Sequence, residues 1–317
     1  MQNTDASFDS QLVDLRKRIE ELEGYPAGGG QEKELERLRT TLKKSTAEVF
    51  GNLSRWQKTL VARHQDRPYT LDYVQFLMED WVELHGDRAF SDDAAIVSGL
   101  ATFRGRSVAV IGHQKGRDTK ERIHRNLGQP RPDGYRKALR IMQMAERFGI
   151  PILTFIDTAG AYPGLDAEER GQAEAIARNL LEMSAIRVPI VVTVTGEGGS
   201  GGALALGVGD RVFILEYATY SVISPEGCAA ILWKDQEKKA EAAEAMKITA
   251  PDLLEMGVVD AIIPEPPGGA HTDPQATCRR VGDVIEAALT DLLRLSPTDL
   301  VARRYARFRN LGVYDEP

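Results

Sequence analysis

The chain has 317 residues, 42% of them hydrophobic, and a net charge of −7 at pH 7. That length holds one large domain or two smaller ones, and the acidic balance argues against a general nucleic-acid binder. Cys228 and Cys278 are too few for a disulfide framework or a cysteine-based zinc site, and no uncharged apolar run reaches the ~18 residues of a membrane span.

At the N-terminus, Met1-Gln-Asn-Thr-Asp-Ala6 has no basic start and no apolar core. No signal peptide is expected, and the two thiols fit a reducing cytoplasm. Phe8, Leu12, Leu15, Ile19 and Leu22 then recur at helical spacing. Pro26-Ala-Gly-Gly-Gly30 breaks the pattern, and Leu35, Leu38 and Leu42 resume it. Residues 8–64 therefore read as a helical hairpin with one apolar stripe per helix, each needing a surface to cover. Arg67-Pro-Tyr-Thr70 closes the region, and Thr70 is a candidate cap for a helix running through Trp81.

From residue 95 strand and helix alternate. Strands are expected at Val108–His113, Pro151–Ile156, Pro189–Thr195, Arg211–Leu215 and Val258–Ile263, with helices at Arg136–Phe148 and Gln172–Ile186. Tyr220-Ser-Val-Ile-Ser-Pro-Glu-Gly227 reads as a strand entering a tight turn. Two units echo each other: Arg140…Gly149-Ile-Pro-Ile152 aligns with Arg178…Arg187-Val-Pro-Ile190, a shift of 38 residues. Their exits, Asp157-Thr-Ala-Gly-Ala-Tyr-Pro-Gly164 and Thr195-Gly-Glu-Gly-Gly-Ser-Gly-Gly202, would lie side by side at one sheet edge, where open α/β folds place ligands.

Gly196-Glu-Gly-Gly-Ser-Gly-Gly-Ala203 holds five glycines in eight residues, between a buried strand and a short helix expected at Gly201–Val208. Glycine lets a ligand approach the main chain. The first amides of a helix lack partners and sit at its positive end. The segment is suited to an anion, either a phosphate or a developing oxyanion. Gly196-x-Gly198-x-x-Gly201, with Glu216 further on, matches the dinucleotide fingerprint. The short helix, the extra glycines Gly199 and Gly202, and the position late in the chain count against it. A Walker loop is excluded because no Gly-Lys-Ser or Gly-Lys-Thr occurs. Ser200 superficially suggests a nucleophile elbow, but a turn serine bonding its own backbone is the simpler reading. The histidines His64, His85, His113, His124 and His271 form no triad and have no helical ligand spacing, so no metal site is expected in this chain. The basic stretch Gly112–Asn126 carries Lys115, Arg117, Lys120, Arg122 and Arg125, which either hold phosphates or form a solvated surface.

The run Thr249–Pro264, with Gly257-Val-Val-Asp260, resembles the helix, Gly-Leu-Val-Asp, strand, Pro signature of the crotonase-like superfamily. Arg67-Pro-Tyr-Thr-Leu-Asp-Tyr73, Ile111-Gly-His-Gln-Lys-Gly116, Gly134-Tyr-Arg-Lys-Ala-Leu-Arg140, Phe155–Gly164, Ala167-Glu-Glu-Arg-Gly-Gln172, Gly196–Ala203 and Ser221-Val-Ile-Ser-Pro-Glu-Gly-Cys-Ala229 look like the family of carboxyltransferase alpha subunits of bacterial acetyl-CoA carboxylases. The likeness runs co-linearly over nearly the whole chain. Ala159 stands where that family often has proline.

The resemblance implies an α/β fold, a crotonase-like (ClpP/crotonase) spiral of ββα units at 67–317, with an N-terminal helical extension at 1–66. It implies a cytoplasmic enzyme of fatty-acid synthesis within an ATP-dependent complex. The partners implied are a beta subunit carrying a zinc ribbon, in an α₂β₂ heterotetramer, a biotin carboxyl carrier protein and biotin carboxylase. The reaction implied moves a carboxyl group from carboxybiotin to acetyl-CoA, giving malonyl-CoA. Biotin's own ureido anion can then serve as the base, which fits the lack of an acid–base constellation. On this reading the Gly201 and Gly202 amides meet the ureido oxyanion. Gly198, Gly199 and Ser200, with the loop Gly160, Ala161, Tyr162, Pro163 and Gly164, line the biotin site. Lys115, Arg117 and Arg125 are candidate contacts for substrate phosphates. The alternative is a self-sufficient crotonase-like acyl-CoA hydratase or isomerase, with Glu197 and Asp157 as acid and base.

Overall fold

The computed structural model describes residues 8–25 and 31–312. The break expected at 26–30 lies outside the described residues. The first helices are α1 (Ser10–Glu23), α2 (Gln31–Gly51) and α3 (Arg55–Ala62). Leu12, Ile19, Leu38 and Phe50 are the buried apolar stripe of the first two. Helix α3 starts on a capping box, in which the Ser54 hydroxyl accepts the Gln57 amide and the Gln57 side chain accepts the Ser54 amide.

Helix α4 spans Thr70–Leu77 and ends four residues before Trp81. Its first turn is closed by Asp72, which accepts the Tyr69 amide at 2.7 Å. The Thr70 hydroxyl, expected as the cap, instead donates to the His113 carbonyl at 2.6 Å. Met78–Glu83 is strand β1, paired antiparallel with β2 (Ile96–Phe103). Edge pairing overrides the helical periodicity there. The β1 chain crosses directly over Gly99, where a Cβ would lie 2.2 Å from the Val82 carbonyl oxygen.

The main body then follows as β3 (Arg106–His113), α5 (Thr119–His124), α6 (Pro132–Phe148), β4 (Ile152–Thr158), α7 (Leu165–Glu169), α8 (Gln172–Ala185) and β5 (Ile190–Gly199). It continues through α9 (Ser200–Leu204), β6 (Arg211–Leu215), β7 (Thr219–Ser221), α10 (Pro225–Leu232), α11 (Lys239–Met246), α12 (Ala250–Glu255) and β8 (Ala261–Ile263). Two long helices close the chain, α13 (Pro274–Leu292) and α14 (Pro297–Arg309). Helix α6 illustrates the local logic: proline opens its first turn and Gly149, at φ 68°, ends it in the left-handed region.

The mixed sheet runs β1-β2-β3-β4-β5-β6-β8, with β7 also paired to β5. The first two ladders are antiparallel and the rest parallel. Every residue of β4 is buried, as a parallel strand covered on both faces requires. Helices α4 and α13 pack on each other and on β3 and β5, while α6 and α8 pair and α6 covers β2 and β3. Tyr73 of α4 stacks on Phe155 of β4 with centroids 5.0 Å apart. This is the α/β class expected.

The 38-residue echo is the sheet register itself. Ile152 pairs with Ile190, Leu153 with Val191, and so on to Ile156 with Val194. The register then slips, and Thr158 pairs with Gly198. The extra residues in β5 form a bulge at the strand exits.

Candidate active site

The bulge leaves backbone groups without ladder partners, and side chains take them. The Thr195 carbonyl accepts from Arg67 Nη2 at 2.9 Å and Nε at 3.2 Å. The Glu197 amide donates to Asp157 Oδ1 at 2.9 Å. Arg67 is wholly buried and forks onto Glu265 at 2.7 and 2.8 Å. Glu265 also accepts the Tyr217 and Ala270 amides. A buried guanidinium paired in this way holds a strand end firmly, and removing one partner of such a pair typically costs about 3–5 kcal/mol.

The glycines of the turn have two kinds of neighbour. A Cβ on Gly199 would lie 2.2 Å from the Ala159 carbonyl oxygen, and one on Gly202 would lie 2.6 Å from the Ala161 nitrogen. A Cβ on Gly198 would meet the Tyr220 ring at 2.7 Å. Gly199 and Gly202 let the two exits seat on each other, backbone to backbone, while Gly198 makes room for Tyr220 of β7. Gly201 differs: a Cβ there would meet only the Ile176 side chain, at 3.4 Å. It is half-exposed, and packing does not demand glycine.

Helix α9 begins at Ser200, one residue earlier than expected, and ends at Leu204. Helical geometry leaves the amides of Gly201 and Gly202 without an intrahelical acceptor. A groove of about 400 Å³ opens on this turn, with Ser200, Gly201, Leu204, Val222, Leu253 and Phe308 among its walls. The Gly160–Gly164 loop is not among the walls of this groove; of its residues Gly160 is buried, Ala161, Tyr162 and Gly164 are half-buried, and Pro163 is exposed. Tyr162 is held by its amide on the Pro130 carbonyl and by Arg131 over its ring at 4.5 Å.

The basic stretch is not one open cluster. Lys115 turns inward, its ammonium 2.7 Å from Asp157 Oδ1 and 3.0 Å from Glu197 Oε2. Arg117 pairs with Asp72 at 2.7 Å and lies over the Tyr69 ring. Arg125 donates to the Ala94 carbonyl at 3.1 Å. Arg63, on the far side of Glu197, bonds it at 2.7 Å and also forks onto Glu226. Burial opposes ionisation of Glu197, but the charges and hydrogen bonds of Lys115 and Arg63 outweigh it and hold the carboxyl at about 2. The same carboxylates outweigh burial and push the Lys115 ammonium above its ordinary range. Glu197 therefore stays ionised at neutral pH and is a poor proton donor or acceptor, and Asp157 is committed to Lys115 and the Glu197 amide. The acid–base pair of the hydratase reading is not formed.

Sequence reasoning did not find Arg63 or Glu226. Their partners lie 134 and 163 positions apart in the chain, so no local spacing marks them. Arg67 was visible only as part of a motif.

Relatives in sequence place this fold among the carboxyltransferases. The sequence matches the family model described as "Acetyl co-enzyme A carboxylase carboxyltransferase-like" over residues 5–312. The acetyl-coenzyme A carboxylase carboxyl transferase subunit alpha of Stenotrophomonas maltophilia is 56% identical over 97% of each chain. That of Geobacter metallireducens is 56% identical over 98% of each. The transcarboxylase 12S structure, with methylmalonyl-coenzyme A and methylmalonic acid bound, shares the fold at a TM-score of 0.57 and 22% identity, over 72% of this chain and 42% of that one. The chain belongs to the acetyl-CoA carboxylase carboxyltransferase family, and within it to the alpha subunits.

Proposed function

We propose that this chain supplies the biotin-facing half of an acetyl-CoA carboxyltransferase site, completed by a beta subunit. Carboxybiotin, brought by a carrier protein, supplies the carboxyl group and leaves negative charge on its ureido oxygen. The Gly201 and Gly202 amides would donate to that oxygen as charge develops, and the Gly160–Gly164 loop, packed against Gly202, would back the turn. Preorganised donors of this kind contribute about 3–4 kcal/mol each in a water-poor site. No side chain of this chain is asked to move a proton, in keeping with the ion-paired state of Asp157 and Glu197. The thioester half of the reaction, and any zinc, would belong to the beta subunit in an α₂β₂ assembly. Acetyl-CoA is the acceptor and malonyl-CoA the product. Arg117 and Arg125 remain candidate phosphate contacts; Lys115, bonded inward, is a weaker one.

The observation that carries this reading is Gly201. It is a half-exposed glycine on a bare-amide turn, with no packing reason to be glycine. Gly201→Val therefore tests ligand approach. Gly202→Val would collide with the Gly160–Ala161 backbone and test folding instead. In the complex with the beta subunit, the Gly201→Val side chain should keep the ligand from the amides and lower carboxyl-transfer turnover by about 10²-fold or more with circular dichroism unchanged, comparable to losing the use of one oxyanion donor. Ser200→Ala should change it little. The reverse pattern would require a serine nucleophile instead.

A further inference from the structure

We propose that Lys115 is a positioning residue, a buried cation that fixes the spacing of the two strand exits carrying the site. The inference rests on the oxyanion role proposed for Gly201 and Gly202.

The geometry is that of a clamp placed on the bulge. Asp157 is the last residue but one of β4, and the Ala159–Gly160 backbone that follows is the seat for Gly199 and Gly202. Glu197 precedes Gly198 in β5. Between them the strand register slips, so the ladder itself does not set their distance. Lys115 spans the gap, with one ammonium on both carboxylates at 2.7 and 3.0 Å. Without it, two carboxylates would face each other in a largely buried space, and like charges there repel strongly.

The surroundings hold the clamp in place. A Cβ on Gly196 would lie 2.4 Å from Asp157 Oδ1, so glycine there lets the carboxylate reach the Glu197 amide. A Cβ on Gly128 would lie 2.6 Å from Lys115 Cγ, so the lysine stem is covered by backbone. A phosphate anchor needs an ammonium open to the ligand, and that of Lys115 is already shared between two carboxylates. Arg63, the C-cap of α3, completes the cluster. It shares Glu197 with Lys115 and ties it to Glu226 of α10. The cluster holds two cations and three carboxylates: Lys115 and Arg63 with Asp157, Glu197 and Glu226.

The test uses the full chain assembled with its beta subunit and follows carboxyl transfer with malonyl-CoA. Lys115→Met should lower kcat by about 30-fold or more while KM changes by less than about twofold, the mark of an interaction felt at the reacting centre rather than in substrate binding. Adding Asp157→Asn removes one carboxylate with the cation, restores the net charge of the cluster, and keeps an acceptor for the Glu197 amide. The double variant should regain at least about tenfold in kcat over Lys115→Met. Should Lys115→Met fail to fold, the double variant alone should still reach about a tenth of the parent kcat. A raised KM with kcat unchanged would overturn the inference in favour of phosphate binding. Unchanged kinetics, or a double variant no better than the single one, would also overturn it. Gly201→Val is assayed in parallel. Full turnover there sinks the oxyanion reading itself, whereas loss there with no effect of Lys115→Met sinks only the clamp.

Discussion

His113 lies beneath the glycine turn, its ring wholly buried against the Gly202 and Phe155 backbone. Burial first, and the nearby Lys115 charge second, push its pKa down to about 3. The sign follows directly. The unfolded chain takes up this proton near 6.5 and the folded chain does not until about 3, so the stabilisation is complete above pH 6.5 and is lost on acidification through that window. Below pH 6.5 one such group gives a slope of about 1.4 kcal/mol per pH unit. His113→Gln should flatten urea-unfolding free energy against pH between 6.5 and 4 by about that slope. His271, also pushed down to about 3 with burial the main cause, should supply a second share that remains. An unchanged pH dependence in His113→Gln would show that the ring is protonated in the folded chain.

At the scale of elements, the N-terminal helices connect to the site through side chains. The α1–α2 pair covers a small core of Leu12, Phe50, Leu53, Val61 and Tyr217, with Phe50 edge-on to Tyr217 at 5.5 Å. Arg55 of α3 reaches Asp252 and Glu244. We expect deletion of residues 1–51 to uncover Tyr217 and Val61 and to lower solubility or oligomer size in sedimentation, while α3 retains Arg63 on Glu197. A truncated chain that forms an unchanged, active complex would contradict this. The helical stripes, the parallel strands and the 38-residue echo were legible because each is a local periodicity or a repeat. Strand β1 was not, since Met78–Glu83 gains its strand form from pairing across Gly99 rather than from its own pattern. The glycine turn was legible as a glycine-rich strand-to-helix turn. The exceptional status of Gly201 was not, because it is a statement about what surrounds a missing Cβ. Likewise, the basic composition around Lys115 was visible, but its inward turn depends on carboxylates 42 and 82 positions away (157 − 115 = 42; 197 − 115 = 82).

For the whole molecule, the central claim is that half a site resides here. On the proposed reading the chain offers oxyanion donors at two strand exits, where the carboxylates Asp157 and Glu197 are both ion-paired. Its relatives carry the designation of a subunit, and the chemistry of the acceptor thioester has no assigned group on this chain. The most direct measurement is biotin-dependent decarboxylation of malonyl-CoA by the purified chain alone and after mixing with a beta subunit, each checked for assembly by sedimentation. The expected result is background turnover alone and full turnover only in the mixed complex. Full turnover by the isolated chain would contradict the split site and return the enzyme to a self-sufficient reading.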